Sequence, residues 1–130
     1  MAFVTDLQTG YLELLHLLFL KLGYSLAGLR DTWLTEPSFR QWFVLIIISD
    51  IAAIFLAPDI IWVALVVAFG FLLLAAELIN TAIEAIVDKT TPEIHPLAKK
   101  AKDAGSAMTL VTFLGLAALW VGIVVNIRIH

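Results

Sequence analysis

Apolar positions along the chain fall into three long runs preceded by an interrupted stripe. The first run covers residues 43–57, passes through Ile46, Ile47, Ile48 and Phe55, and stops at Ala57-Pro58-Asp59. The second covers residues 60–87 and the third residues 104–127. A helix rising about 1.5 Å per residue needs about 20 mostly apolar residues to cross a bilayer, so the second and third are long enough. The first is short and carries Asp50 near its middle. It spans from residue 42 if Trp42 sits at the interface and Asp50 faces a protein neighbour or a water-filled gap. The first two runs are linked only through Ala57-Pro58-Asp59, which forces an antiparallel hairpin.

The first forty residues follow a different rule. Leu7, Tyr11, Leu14, Leu15, Leu18 and Leu22 recur at helical spacing, continued by Leu26, Leu29 and Trp33. Asp6, Glu13, Lys21, Arg30 and Asp31 interrupt them. This pattern predicts a helix over residues 1–34 lying along the membrane surface. Thr35-Glu36-Pro37-Ser38 breaks it, because proline disfavours helical geometry in the residue before it, and Thr35 is placed to cap the next helix. Glu36 then sits at a hinge close to the membrane. Thr91-Pro92 and His95-Pro96 punctuate the polar loop between the second and third spans, and one of these pairs is expected to cap the third helix ahead of its apolar part. The expected architecture is an all-α membrane protein: one domain over residues 1–130, with an amphipathic surface helix and transmembrane helices at 42–57, 60–87 and 104–127.

Composition sharpens this picture. Of 130 residues, 62% are hydrophobic and 15% charged, against about half and a quarter in a soluble domain. The absence of cysteine excludes disulfides, thiolate metal sites and a cysteine nucleophile. No removable signal peptide is expected, since Asp6 and Glu13 precede the first basic residue, Lys21. Basic residues set the orientation. Lys21, Arg30, Arg40, Lys89, Lys99, Lys100 and Lys102 fall on one side and Arg128 on the other. The N-terminus and the polar loop should be cytoplasmic and the C-terminus periplasmic, in a bacterial inner membrane.

The chemistry lies where the second span violates its own hydrophobicity. Glu77, Asn80, Thr81, Glu84 and Asp88 share about 100° of helix arc, which gives one polar stripe with three carboxylates. A carboxylate at mid-bilayer costs about 2.5–3.5 kcal/mol or more, so such a row needs a reason. Interhelical hydrogen bonding is the plain one. The chemical one gives the deeper Glu77 the task of accepting a proton from a lipid hydroxyl, and the shallower Glu84 that of holding Mg²⁺ through hard oxygen ligands. A second group, Lys99, Lys100, Lys102, Asp103, Gly105 and Ser106, offers lysines for a polyphosphate and small residues for close approach. The positive-inside rule alone also explains lysines there. Phosphate-binding loops, the protein-kinase glycine loop and H-E-x-x-H are all absent, as is any basic–aromatic surface for nucleic acid.

Glu77-Leu78-Ile79-Asn80-Thr81-Ala82-Ile83-Glu84-Ala85-Ile86-Val87-Asp88 closely resembles the signature of the prokaryotic diacylglycerol kinase family. Three more blocks agree in order and spacing: Gly23-Tyr24-Ser25 with Gly28-Leu29-Arg30 and Trp33; Glu36 with Phe39-Arg40-Gln41; and Ala101-Lys102-Asp103 with Gly105-Ser106-Ala107. The resemblance implies a homotrimer with active sites shared between subunits and ATP-dependent phosphorylation of diacylglycerol to phosphatidic acid. It makes Glu77 the base, gives the Mg²⁺ of the nucleotide to Glu36 and Glu84, and matches Tyr24, Glu93, Ile94, His95, Lys102 and Asp103 to nucleotide-contacting positions. Asn80, Ser106, Arg40 and Trp33 match positions near the lipid or supporting the site. The chain departs from the family at Leu17, where some members carry a basic residue, and at Trp42, where an acidic residue follows the glutamine.

Two alternatives remain at this level. Undecaprenol is the competing lipid alcohol, since close relatives phosphorylate it. A non-catalytic membrane subunit with a polar proton or ion path would account for Glu77, Glu84 and Asp50, but leaves Glu36 and Lys102-Asp103 unexplained.

Overall fold

The computed structural model describes residues 2–91 and 95–129, with side chains described from residue 12 onward. Every regular element among them is an α-helix: α1 (Ala2–Thr35), α2 (Pro37–Leu56), α3 (Ile60–Thr90) and α4 (Pro96–Ile129). Each of the four contains a stretch long and apolar enough to cross a membrane by length and composition. Helix α1 is one compact unit and the other three helices are a second.

Prolines and caps set the helix boundaries. Glu36, held extended by Pro37, separates α1 from α2, and Pro37 occupies the first turn of α2, where its missing N–H costs nothing. Thr35 does not cap α2 as expected from the sequence. It is still helical, its Oγ1 donates back to the Asp31 carbonyl at 3.0 Å, and Glu36 takes the N-cap position without a side-chain bond. Pro58 likewise holds Ala57 extended and ends α2. Asp59 then caps α3, its Oδ1 accepting from the N–H groups of Ile61 (2.8 Å) and Trp62 (3.3 Å). Of the two loop prolines, Pro96 opens α4, and His95 Nδ1 accepts from Leu97 N–H at 3.2 Å. Helix α4 therefore begins well before its apolar run and carries Lys99, Lys102 and Asp103 on its polar first turns.

In α1 the stretch Leu12–Thr35 fits a crossing as well as the expected surface placement, which rests on the charges interrupting it. In the second unit α3 is central and packs against both α2 and α4. The buried core joins Ile46 and Ala53 of α2, Val66 and Leu73 of α3, and Leu116 and Ile123 of α4. Small residues let the helices close up. A Cβ on buried Gly70 would lie 2.7 Å from Ile46 Cγ2, so only glycine permits this α2–α3 approach. Helices α2 and α4 are tied by Trp120 Nε1 donating to Ser49 Oγ at 2.9 Å and by the Trp42 and Phe113 rings, whose centroids are 5.4 Å apart.

Outward positions are as apolar as inward ones. Phe55 is 79% exposed and Ile60 76%, and exposed leucine, isoleucine and valine side chains run along all three helices. Such a surface is compatible with hydrocarbon as solvent and not with water. Asp50 is the exception on α2: its Oδ1 is buried without a hydrogen-bond partner among the described residues and lies near Gly70.

Candidate active site

The polar stripe of α3 opens onto a cavity of about 550 Å³. Glu77, Asn80, Thr81 and Glu84 line it from α3, and Ser106 and Thr109 from α4. Glu36 and Ser38, at the start of α2, complete the polar wall. Three carboxylates spaced widely in sequence therefore face one space within a single chain. Trp42 and Phe113 form the apolar side and also border a second cavity of about 330 Å³, which is lined by Leu45, Ile46, Leu73 and Leu116. The site thus has a charged compartment and an adjoining greasy one.

Individual contacts fix the charged side chains. Glu77 is 5% exposed, and its Oε2 accepts from Thr109 Oγ1 at 3.1 Å. Asn80 Nδ2 donates to Glu84 Oε1 at 3.2 Å. That bond orients the amide, because a carboxylate oxygen needs the NH₂ side facing it. Asn80 Oδ1 is then left buried with no partner among the described residues, directly over Gly105. A Cβ on Gly105 would fall 2.5 Å from that oxygen, so any larger residue on α4 here would force the Asn80 amide to shift.

Beyond the cavity, the polar ends of α3 and α4 are joined by Lys102, whose Nζ donates to Asp88 Oδ1 at 2.9 Å and Oδ2 at 3.2 Å. The bond to Asp88 holds the Lys102 ammonium above the ordinary lysine range. Desolvation opposes this shift, and the charges of Asp88 and Glu84 each add a smaller push in its favour. Its positive charge therefore persists at physiological pH. Asp103 pairs with Lys99 one turn earlier.

The sequence candidates distribute unevenly over this geometry. Glu36, Glu77, Asn80, Glu84 and Ser106 meet on the cavity. Lys102 and Asp103 sit on the polar turns of α4 in ion pairs, and His95 caps that helix. Arg40 borders a separate open groove with Pro37, Gln41 and Val44. Tyr24 and Trp33 are exposed on α1. Glu93 and Ile94 lie outside the described residues. Sequence reasoning passed over Thr109, Leu110 and Phe113. They follow Ser106 at intervals of three, four and seven, the spacing of one helix face, and that was the available signal.

Comparison with known proteins gives the family of the chain. The family model of prokaryotic diacylglycerol kinase matches residues 23–124. The chain belongs to the prokaryotic diacylglycerol kinase family. It is 42% identical over 103 residues to the diacylglycerol kinase of Helicobacter pylori, covering 79% of this chain and 80% of that one. It is 38% identical over 98 residues to the diacylglycerol kinase of Escherichia coli K12, covering 75% and 80%. The diacylglycerol kinase of Pseudomonas aeruginosa matches at 38% over 119 residues, covering 92% and 94%. As a family member the chain is a lipid kinase of a bacterial membrane, and all its sequence-derived site residues fall inside the matched segment.

Proposed function

We propose that this kinase transfers the terminal phosphoryl group of ATP to the free hydroxyl of diacylglycerol, giving phosphatidate and ADP, at the cytoplasmic membrane face. The observation that carries this reading is the convergence of Glu36, Glu77 and Glu84 on one cavity bordered by an apolar compartment. A substrate that is part alcohol and part hydrocarbon suits such a space.

Glu77 is the base: it accepts the hydroxyl proton as the alkoxide oxygen bonds to phosphorus and the bond to the ADP oxygen breaks. Glu36 and Glu84 would hold Mg²⁺. No group of three metal-ligating side chains exists among the described residues, which fits an ion that takes one or two carboxylates and completes its shell with phosphate and water. When bound, Mg²⁺ neutralises negative charge on the phosphate oxygens. Lys102 and Asp103, with Tyr24, Glu93, Ile94 and His95, serve the nucleotide, while Ser106, Asn80, Arg40 and Trp33 serve or support the lipid. In this reading α1 lies along the cytoplasmic surface, the N-terminus and the α3–α4 loop are cytoplasmic, the C-terminus is periplasmic, and three copies assemble with shared sites.

Purified protein in mixed micelles with Mg²⁺ and ATP is expected to convert diacylglycerol to phosphatidate and to lose that activity when Mg²⁺ is chelated. Undecaprenol assayed alongside is expected to react far more slowly. Faster turnover of undecaprenol would reassign the substrate. Proton flux in liposomes without ATP, and no product from either alcohol, would replace the enzyme reading with a polar ion path.

A further inference from the structure

We infer that Thr109 is a positioning residue for Glu77, an inference that rests on the base assignment above. Its hydroxyl behaves unlike four other helix hydroxyls among the described residues. Ser25, Thr35, Thr90 and Thr112 each donate to the carbonyl four residues back in their own helix. That is the default for a hydroxyl in a helix, because the acceptor is always present and costs no tertiary arrangement. Thr109 has the same option in the Gly105 carbonyl, yet its Oγ1 crosses from α4 to α3 and donates to Glu77 Oε2.

Both partners are buried, Thr109 at 8% exposure and Glu77 at 5%, so water does not compete for the bond. A hydroxyl donating to a carboxylate in such surroundings is charge-assisted and directional. It stops rotation of the carboxylate about its last side-chain bond and commits Oε2, leaving Oε1 to meet the lipid hydroxyl. Thr109 need not touch either substrate. Its contribution is to hold the base in a single orientation before the reaction, which lowers the entropy lost on reaching the reactive geometry.

The shape of threonine allows a clean test, because valine keeps the volume and removes the hydroxyl, whereas serine keeps the hydroxyl and removes the methyl. Thr109→Val is expected to lower kcat roughly ten- to a hundredfold with the KM for Mg-ATP unchanged. Thr109→Ser is expected to recover most of that loss, with assembly and thermal stability of both variants checked in the same micelles. A residue needed only for packing would give the reverse order, serine harmful and valine tolerated, and that order overturns the proposal. Equal losses in both variants, or wild-type turnover in Thr109→Val while Glu77→Gln is dead, overturn it as well and leave the base assignment standing. A wild-type protein without kinase activity removes the base assignment itself.

Discussion

Asn80 works on two neighbours at once. Its amide nitrogen holds Glu84 at 3.2 Å, and its carbonyl oxygen, packed over Gly105, has no partner of its own among the described residues. A buried acceptor without a donor is a cost of about 1–3 kcal/mol, tolerated here in exchange for a fixed carboxylate one turn away. Replacing Asn80 with alanine removes the orienting bond and leaves the carboxylate itself in place. The expected result is a roughly ten- to hundredfold weaker apparent affinity for Mg²⁺, read from a Mg²⁺ titration of turnover at saturating ATP. An unchanged titration would mean that Glu84 takes no part in holding the ion. Glu77 and Glu84 were visible in the sequence for a simple reason: carboxylates in a hydrocarbon run are expensive and therefore conspicuous. Thr109 was not, because a threonine in such a run satisfies itself on its own backbone and advertises nothing.

At the level of elements, proline and aspartate place the helices more firmly than apolar content does. The apolar runs located α2, α3 and α4, but α4 starts at Pro96 and α3 continues to Thr90, well past the ends of those runs. Charged residues do not stop a helix; proline does. That difference explains why Lys102 and Asp103, which the resemblance matches to nucleotide-contacting positions, sit on helical turns with Asp88 and Lys99 within reach. The cap at Asp59 is the clearest local device, with two backbone donors on one carboxylate oxygen. Asp59→Ala is expected to cost about 1 kcal/mol of stability and leave kcat unchanged, since the residue lies at the opposite end of α3 from Asp88. Denaturation in micelles alongside a turnover assay checks both halves of that statement.

Across the unit formed by α2, α3 and α4, apolar surface faces outward and, Asp50 apart, the charged groups are concentrated in one cavity and near the helix ends. Sequence alone gave the class, because only a bilayer accommodates this hydropathy, yet the sides of the cavity needed three dimensions. Trp42 reads as an interface anchor in sequence, whereas in the fold its ring meets Phe113 and divides the polar cavity from the apolar one. Ser49 and Trp120, bonded to each other, also line the second compartment. Trp120→Phe is expected to lower stability by about 0.6–1.7 kcal/mol, the range for hydrogen bonds between membrane helices, as measured by unfolding from micelles. The central claim is that a glutamate buried among these helices takes the proton of a lipid alcohol. Its most direct test is transfer of label from γ-labelled ATP to diacylglycerol by wild-type protein and by Glu77→Gln, at matched assembly. The account predicts labelled phosphatidate from the first and none above background from the second. Comparable labelling from both would contradict it.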